Sequence, residues 1–303
     1  RDLSLSLVGS EMCIRDSYIA DISSPGKRAQ NFGMIGAAFG LGFIIGPAIG
    51  GVLGQYGARV PFLVAAGLSF MNWLYGYFIL PESLDADKRR NFEWGRANAL
   101  GSLKQFGNYP AIIGLVVVMF FLYLAAHATQ STWAYYTIEK FDWDSDWVGY
   151  SLAFVGLMVA LVQGVLIRIL VPLLGQINAI YLGLILYLIG FVLFAFATEG
   201  WMMFAFLVPY ALGGLAGPSI QGIMTGEVPQ NAQGELQGGL TSMVSVTSII
   251  GPPIMTGLFT FATRPEAGFY FPGAPFLLAA VLMIICLLVA RVSLTKSSAT
   301  HPK

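Results

Sequence analysis

The amino-acid sequence predicts an all-α integral membrane protein, and three observations support that prediction. Of the 303 residues, 56% are apolar and only 11% are charged, with a mean hydropathy of +0.71. A soluble domain carries roughly 25% charged residues, so a water-soluble enzyme fits this composition poorly. The charges leave long gaps between them. These gaps lack the alternating segments of about 10 residues that are typical of membrane barrel strands.

Eight stretches of the chain contain no Asp, Glu, Lys or Arg. They are residues 29–58, 60–81, 105–138, 148–167, 169–198, 200–226, 236–263 and 267–290. A helix needs about 20 apolar residues to cross the hydrocarbon core. Each stretch supplies that length, so we predict eight transmembrane helices.

Basic residues near the helix ends predict the orientation. Counted over alternate connections, one side carries eleven Lys and Arg residues and the other side carries three. We therefore expect the central loop, residues 82–108, and the C-terminal tail, residues 293–303, to be cytoplasmic. The charged part of that loop is either a short amphipathic helix on the membrane surface or a disordered linker.

Composition and motifs also restrict the classes of function. Lys plus Arg and Asp plus Glu balance at 16 each, which argues against nucleic acid as a partner. The two cysteines, Cys13 and Cys286, make neither a disulfide framework nor a zinc site. The common metalloprotease, hydrolase and P-loop motifs do not occur. We therefore expect no enzyme activity, no metal and no cofactor.

Residues 1–17, RDLSLSLVGSEMCIRDS, lack both an initiator Met and an apolar stretch of signal-peptide length. They resemble a translated sequencing-adapter tail, so we expect a non-native leader that ends near Tyr18.

A shift of 205 residues places Gly46 and Pro47 on Gly251 and Pro252. In a two-fold repeat, about a hundred further residues, enough for four helices, would precede this chain. The same repeat predicts that these two Gly-Pro segments contact each other.

The first predicted span carries the motif G-x3-GP-x2-GG. Its residues are Gly42, Gly46, Pro47, Gly50 and Gly51. Small residues at this spacing let two helices approach closely, and Pro47 permits a bend. The motif resembles the antiporter motif on the fifth helix of drug:proton antiporters of the major facilitator superfamily.

Three other segments resemble the tetracycline-resistance branch of that family. They are YIADISSPGKRAQNFG (18–33), LPES (80–83) and GELQGGLTSMVSVTSIIGPPIMTGLF (234–259), the last resembling the eleventh helix with Gly251 and Pro252. The resemblance covers residues 18–292 as helices 5 to 12 of twelve. Residues 18–81 would hold the end of helix 4 with helices 5 and 6, and residues 109–292 would form the C-terminal six-helix bundle.

The resemblance implies a monomeric, multi-pass transporter of the bacterial inner membrane that exchanges a small amphipathic compound for protons by alternating access. It implies a gating role for Asp21 and no cofactor besides the proton gradient. Two polar family positions on helices 8 and 9 hold Val159 and Tyr187, so tetracycline itself is a doubtful substrate. The alternatives are a proton-coupled importer of sugars or nutrients and, in another class, an integral-membrane enzyme or assembly factor.

Polar side chains inside the predicted spans outline a candidate substrate cavity. Its expected residues are Tyr123, His127, Gln130, Gln163, Tyr210 and Gln221. The first three follow i, i+4, i+7 on one helix face. His127 suits a proton-linked role, because the ordinary pKa of histidine is about 6.5, or it forms a hydrogen bond to a neighbouring helix. Gln163 lies beside a ridge of small residues and either faces the cavity or joins two helices.

Overall fold

The computed structural model describes residues 9–57, 59–83, 110–264 and 268–300. All regular secondary structure in these residues is helical, which confirms the predicted all-α class. Residues 84–108 of the predicted central loop lie outside the described residues. Their character as a surface helix or a linker therefore stays a prediction.

The described residues form eleven α-helices, numbered in chain order. They are α1 (Gly9–Ile22), α2 (Arg28–Gly54), α3 (Val60–Phe78), α4 (Pro110–Phe141), α5 (Ser145–Leu161), α6 (Ile167–Leu174), α7 (Gln176–Phe196), α8 (Gly200–Leu212), α9 (Ala216–Glu227), α10 (Gln233–Thr263) and α11 (Ala274–Thr300). A π-helical turn, Val162–Leu166, joins α5 to α6, and a 3₁₀ turn, Gly213–Leu215, joins α8 to α9. Each of these two pairs forms one interrupted span.

Seven helical stretches in the described residues are long and apolar enough to cross a membrane. They are Pro25–Gly46, Ile112–Phe141, Asp146–Leu174, Gln176–Phe196, Gly200–Glu227, Gln230–Thr263 and Ala274–Leu294. These stretches coincide with seven of the eight predicted spans. The remaining one, residues 60–81, forms the 19-residue helix α3 but is not among the seven. Its sequence contains Asn72, Tyr75 and Tyr77, which lower its hydropathy.

Two predicted terminal segments continue into helices. The expected leader contributes residues 9–17 to α1, and α11 runs through residues 293–300 of the expected tail. Both assignments stay predictions, because a helix forms on either native or appended sequence.

Local chemistry fixes where several helices begin and end. The Asp144 side chain accepts hydrogen bonds from the backbone N–H groups of Asp146 and Trp147, at 3.1 and 2.9 Å, and so caps the start of α5. Gly175 separates α6 from α7 with a φ of +78°, a backbone conformation that favours glycine. The residues just before α5 thus form a capping turn.

The hydrophobic core lies where α4, α7 and α11 pack together. Tyr136, Phe194 and Phe276 are fully buried, and the ring of Tyr136 meets the ring of Phe276 edge-on at 4.9 Å. The Tyr136 hydroxyl donates a hydrogen bond to the Phe194 carbonyl oxygen at 2.6 Å, which satisfies its polar atom in the apolar interior. This core holds α4, which carries His127, in a fixed position.

A row of glycines lets α2 pack closely against α5 and the π-helical turn that follows it. A Cβ added at Gly40 would lie 2.7 Å from the backbone nitrogen of Ala160, and one at Gly33 would lie 2.9 Å from the carbonyl oxygen of Gln163. The predicted ridge of small residues on α5 therefore serves helix packing. Helix α3 packs mainly on α2 and has no buried residue.

The predicted contact between Gly46–Pro47 and Gly251–Pro252 is wrong. A Cβ at Gly46 would meet nothing within 4 Å, whereas Gly251 packs against His127 of α4. The reason is that α2 uses its other glycine row for its interface with α5, while α10 packs against α4 and α1.

Candidate functional site

His127 lies between α4 and α10. It is 8% exposed, and its ring fills the space beside Gly251, where an added Cβ would lie 2.6 Å from the ring carbon Cγ. No hydrogen bond joins the imidazole to another described residue, and the choice between a proton-linked role and a bond to a neighbouring helix stays a prediction. The ring is held by packing, because Gly251 has no side chain and so leaves room for the ring.

The other two residues of the predicted α4 face are in different surroundings. Tyr123 is half-buried and Gln130 is exposed. The expected common face therefore contains one residue packed on α10, one half-buried residue and one exposed residue. Their shared role in a substrate cavity stays a prediction.

Gln163 occupies the π-helical turn between α5 and α6. Its side chain packs against Gly36 of α2, and its Nε2 lies 3.3 Å from the position of a Cβ at Gly214. The Tyr187 hydroxyl lies 3.8 Å from that same position. Single π-helical turns inside α-helices occur frequently at functional sites. Gln163 thus joins α2 to the interrupted span formed by α8 and α9.

Tyr210 belongs to an aromatic group that also contains a polar contact. Its hydroxyl lies 2.8 Å from the Thr129 hydroxyl, and its ring centroid lies 5.2 Å from that of Tyr187 and 5.4 Å from that of Phe191. The structure therefore brings Gln163, Tyr187, Tyr210 and Thr129 into one neighbourhood.

Sequence reasoning missed Thr129 and Tyr187 as members of this group. Tyr187 carries the polar side chain in the middle of α7, and this could have indicated its role. Thr129 lies off the α4 face that contains Tyr123 and His127.

Gln221 lies in α9, beyond the 3₁₀ turn that separates it from Tyr210. Its backbone carbonyl accepts a hydrogen bond from the Thr225 hydroxyl at 2.9 Å. In the part of the chain that the structure describes, it forms no hydrogen bond with the other predicted cavity residues. Its place in the cavity stays a prediction.

Asp21 lies near the end of α1 and contacts the segment that follows α3. The Ser83 hydroxyl donates a hydrogen bond to Asp21 Oδ2 at 2.9 Å. Burial raises the pKa of this carboxyl above its ordinary value, and the charge of Glu82 raises it further. The Ser83 hydrogen bond and the charge of Arg28 act in the opposite direction. Asp21 therefore binds a proton more readily than a free aspartate, and its gating role stays a prediction.

The glycines of the predicted antiporter motif face open space. A Cβ added at Gly42, Gly46 or Gly50 would meet nothing within 4 Å. Pro47 and Gly51 belong to the same helix, and the structure does not describe their surroundings. The motif surface is thus available to another helix or to lipid.

No group of three or more His, Cys, Asp or Glu residues that could hold a metal ion occurs in the residues with described positions. Acidic residues of the seven candidate spans lie within about two turns of a span end, at Glu139, Asp146, Glu227 and Glu235. Deeper in these spans, the polar side chains include those of His127, Tyr210 and Gln163.

Comparison with known proteins identifies the family. The sequence profile of the Major Facilitator Superfamily matches residues 8–238. The chain is 32% identical over 285 residues to the class C tetracycline resistance protein of Escherichia coli, covering 94% of the chain and 70% of that protein. It is 34% identical over 293 residues to the class E protein of Escherichia coli, covering 95% of the chain and 70% of that protein.

Solved structures show the same fold. The human organic anion transporter MFSD10 superposes with a TM-score of 0.81 at 21% identity, over 92% of this chain and 67% of that one. The transporter FucP in its outward conformation superposes with a TM-score of 0.70 at 12% identity, over 93% of this chain and 72% of that one. The helical architecture, the profile match and the two bacterial relatives lead to one conclusion: the chain belongs to the major facilitator superfamily of membrane transporters.

Proposed function

We propose that the protein is a proton-coupled exporter of a drug or another small amphipathic compound, working by alternating access. The observation that carries this proposal is the 32% and 34% identity to two tetracycline resistance proteins over nearly the whole chain. We place it in the bacterial inner membrane, with the central loop and the C-terminus cytoplasmic. Two bundles would move around a site near the middle of the bilayer.

The aromatic and amide groups near the centre of the described helices would bind the substrate. Gln163, Tyr187 and Tyr210 offer hydrogen-bond donors and acceptors beside aromatic rings, which suits a partly apolar ligand with a few polar groups. Because no carboxylate lies deep in these spans, an uncharged or aromatic compound fits this half of the site better than a strongly basic one. The proton would be carried by His127, by Asp21 or by a group on the other bundle.

The chain spans about 70% of the two bacterial relatives. Alternating access needs two bundles that move around one site. The functional assay therefore compares two proteins: the 303-residue chain, and a chimera in which residues 18–303 are joined to the part of the class C relative that this chain does not match.

The test measures accumulation of fluorescent drugs in cells that lack their own exporters. We expect the chimera to lower accumulation, the chain alone to leave it unchanged, and collapse of the proton gradient to abolish the difference. Lower accumulation that survives loss of the gradient would contradict proton coupling. Gradient-dependent uptake of sugars instead of drug export would favour the importer.

A further inference from the structure

Arg168 is a charged residue inside one of the seven candidate spans of the described residues. It lies on α6, within the span Asp146–Leu174 and less than two turns before the end of that span. At 1.5 Å per residue, its Cα lies about 9 Å inside the end of the helix. A charge at this depth is costly in lipid unless it is paired or its side chain reaches the headgroup region.

The helices α2 and α7, which pack on α6, offer no carboxylate to Arg168. Residues 29–58, 148–167 and 169–198 contain no charged side chain. The Arg168 Nη2 lies 2.7 Å from the sulfur of Met34 on α2, and a thioether sulfur is a weak acceptor. The guanidinium forms no ion pair with another described residue. The described residues thus leave most of its five N–H donors unused.

The helix face around Arg168 is apolar and exposed. Leu161, Val165, Ile169 and Leu173 follow one another at intervals of four residues and are 44–77% exposed. Side chains at this spacing lie on one face of a helix. Arg168 is itself exposed, beside Ile169 and one turn from Val165. In a membrane such a face lies against acyl chains, so the guanidinium is presented to lipid.

The polar boundary of the membrane is close to this position. The next polar side chains along the chain are those of Gln176 and Asn178, at the start of α7. The predicted orientation places this end of the span at the cytoplasmic surface, where anionic lipids attract basic side chains. The long side chain of Arg168 can extend from its Cα toward that surface, with its apolar stem in lipid.

We propose that Arg168 binds the phosphate of an anionic phospholipid in the cytoplasmic leaflet, with the acyl chains of that lipid against Val165, Ile169 and Leu173. The planar guanidinium donates paired hydrogen bonds to phosphate oxygens, which an ammonium group cannot do in the same geometry. Because Met34 lies beside the guanidinium, the bound headgroup would lie where α2 meets α6. The proposal depends on the predicted orientation and not on drug export.

The first test measures binding of phosphatidylglycerol to the purified 303-residue chain in detergent micelles by native mass spectrometry. We expect Arg168→Gln to weaken the binding of one lipid about fivefold or more. Arg168→Lys keeps the charge but loses the planar fork, so we expect a smaller loss. Unchanged affinity in Arg168→Gln would overturn the proposal. The melting temperature without added lipid checks that each variant is folded.

Arg264→Gln is the matched control, because Arg264 is also exposed but follows α10 at the opposite surface of the membrane. We expect this variant to bind phosphatidylglycerol as the unchanged chain does. Equal weakening by Arg168→Gln and Arg264→Gln would show a response to net charge alone, and would overturn the proposal.

A second measurement identifies the source of the phosphate. We expect phosphatidylglycerol to raise the melting temperature of the unchanged chain more than phosphatidylcholine does, and inorganic phosphate to leave it unchanged. An equal rise with inorganic phosphate would indicate a site for free anions, and an equal rise with phosphatidylcholine would show no preference for anionic lipid. Either result would overturn the proposal. Neither measurement depends on transport, so failure of the exporter proposal is distinguishable from failure of this one.

Discussion

Helix α2 carries two rows of glycine that the sequence does not distinguish but the structure does. Gly40 lies against α5, and Gly33 and Gly36 lie against the π-helical turn that follows α5, with backbone and side-chain atoms where a Cβ would be. Gly42, Gly46 and Gly50 have the same small-residue character and meet nothing within 4 Å. The difference shows that glycine spacing predicts the capacity for close packing, but not which row of glycines is packed against a neighbour.

The substitution Gly40→Leu tests the difference between the two glycine rows. Gly40→Leu would drive a side chain into the backbone of Gly156 and Ala160, which cannot move without shifting α5. We expect a loss of about 3 kcal/mol or more in the free energy of unfolding, the upper end of the usual cost of overpacking. The measurement is SDS-induced unfolding in mixed micelles.

Gly46→Leu is the matched control for that experiment. Its new side chain would enter open space, so we expect a change within about 0.5 kcal/mol, as for other surface substitutions. Equal losses for the two variants would contradict the difference between the rows.

A smaller effect is expected where a glycine faces a side chain that can move. Gly251→Ala would place a methyl group against the ring of His127, and we expect a loss of about 1–2 kcal/mol. Combining it with His127→Ala should restore part of that loss, because the clashing ring is gone. The double-mutant cycle measures this coupling, and additive effects of the two changes would show that the ring and Gly251 do not contact each other.

The smallest effect is expected at Gly214, where the nearest neighbour is the flexible end of Gln163 at 3.3 Å. Gly214→Ala should change the free energy of unfolding by less than about 1 kcal/mol, because an amide end shifts at little cost. A loss in the free energy of unfolding above about 2 kcal/mol would contradict this expectation, because it would show that the Gln163 amide cannot shift. Gly217→Ala, with nothing within 4 Å, is the comparison for the intrinsic effect of replacing glycine.

Much of the fold follows from where charges are absent. The eight charge-free stretches each contain a helix, because a segment of about 20 apolar residues has one stable way to satisfy its backbone in lipid. The π-helical turn Val162–Leu166 and the 3₁₀ turn Gly213–Leu215 cannot be predicted from the positions of the charges. Both interruptions lie at close helix contacts, the first beside Gly36 of α2 and the second beside Tyr187 of α7.

The candidate site was only partly accessible to sequence reasoning. Helical spacing placed His127 and Gln130 on one face, but packing of α10 covers the first and leaves the second exposed. The contact between Thr129 and Tyr210 joins residues 81 positions apart on different helices, and no local pattern reports such a pair. Side-chain neighbours across helices depend on helix rotation, which a single sequence does not specify.

Proton-coupled export can be measured with purified protein in a reconstituted membrane. The chimera of residues 18–303 with the unmatched part of the class C relative is reconstituted in vesicles that hold a proton gradient, and a pH-sensitive dye reports proton movement when drug is added. We predict drug-dependent proton flux that His127→Ala reduces or whose pH dependence it shifts. Drug movement that neither uses nor dissipates the gradient would contradict the account.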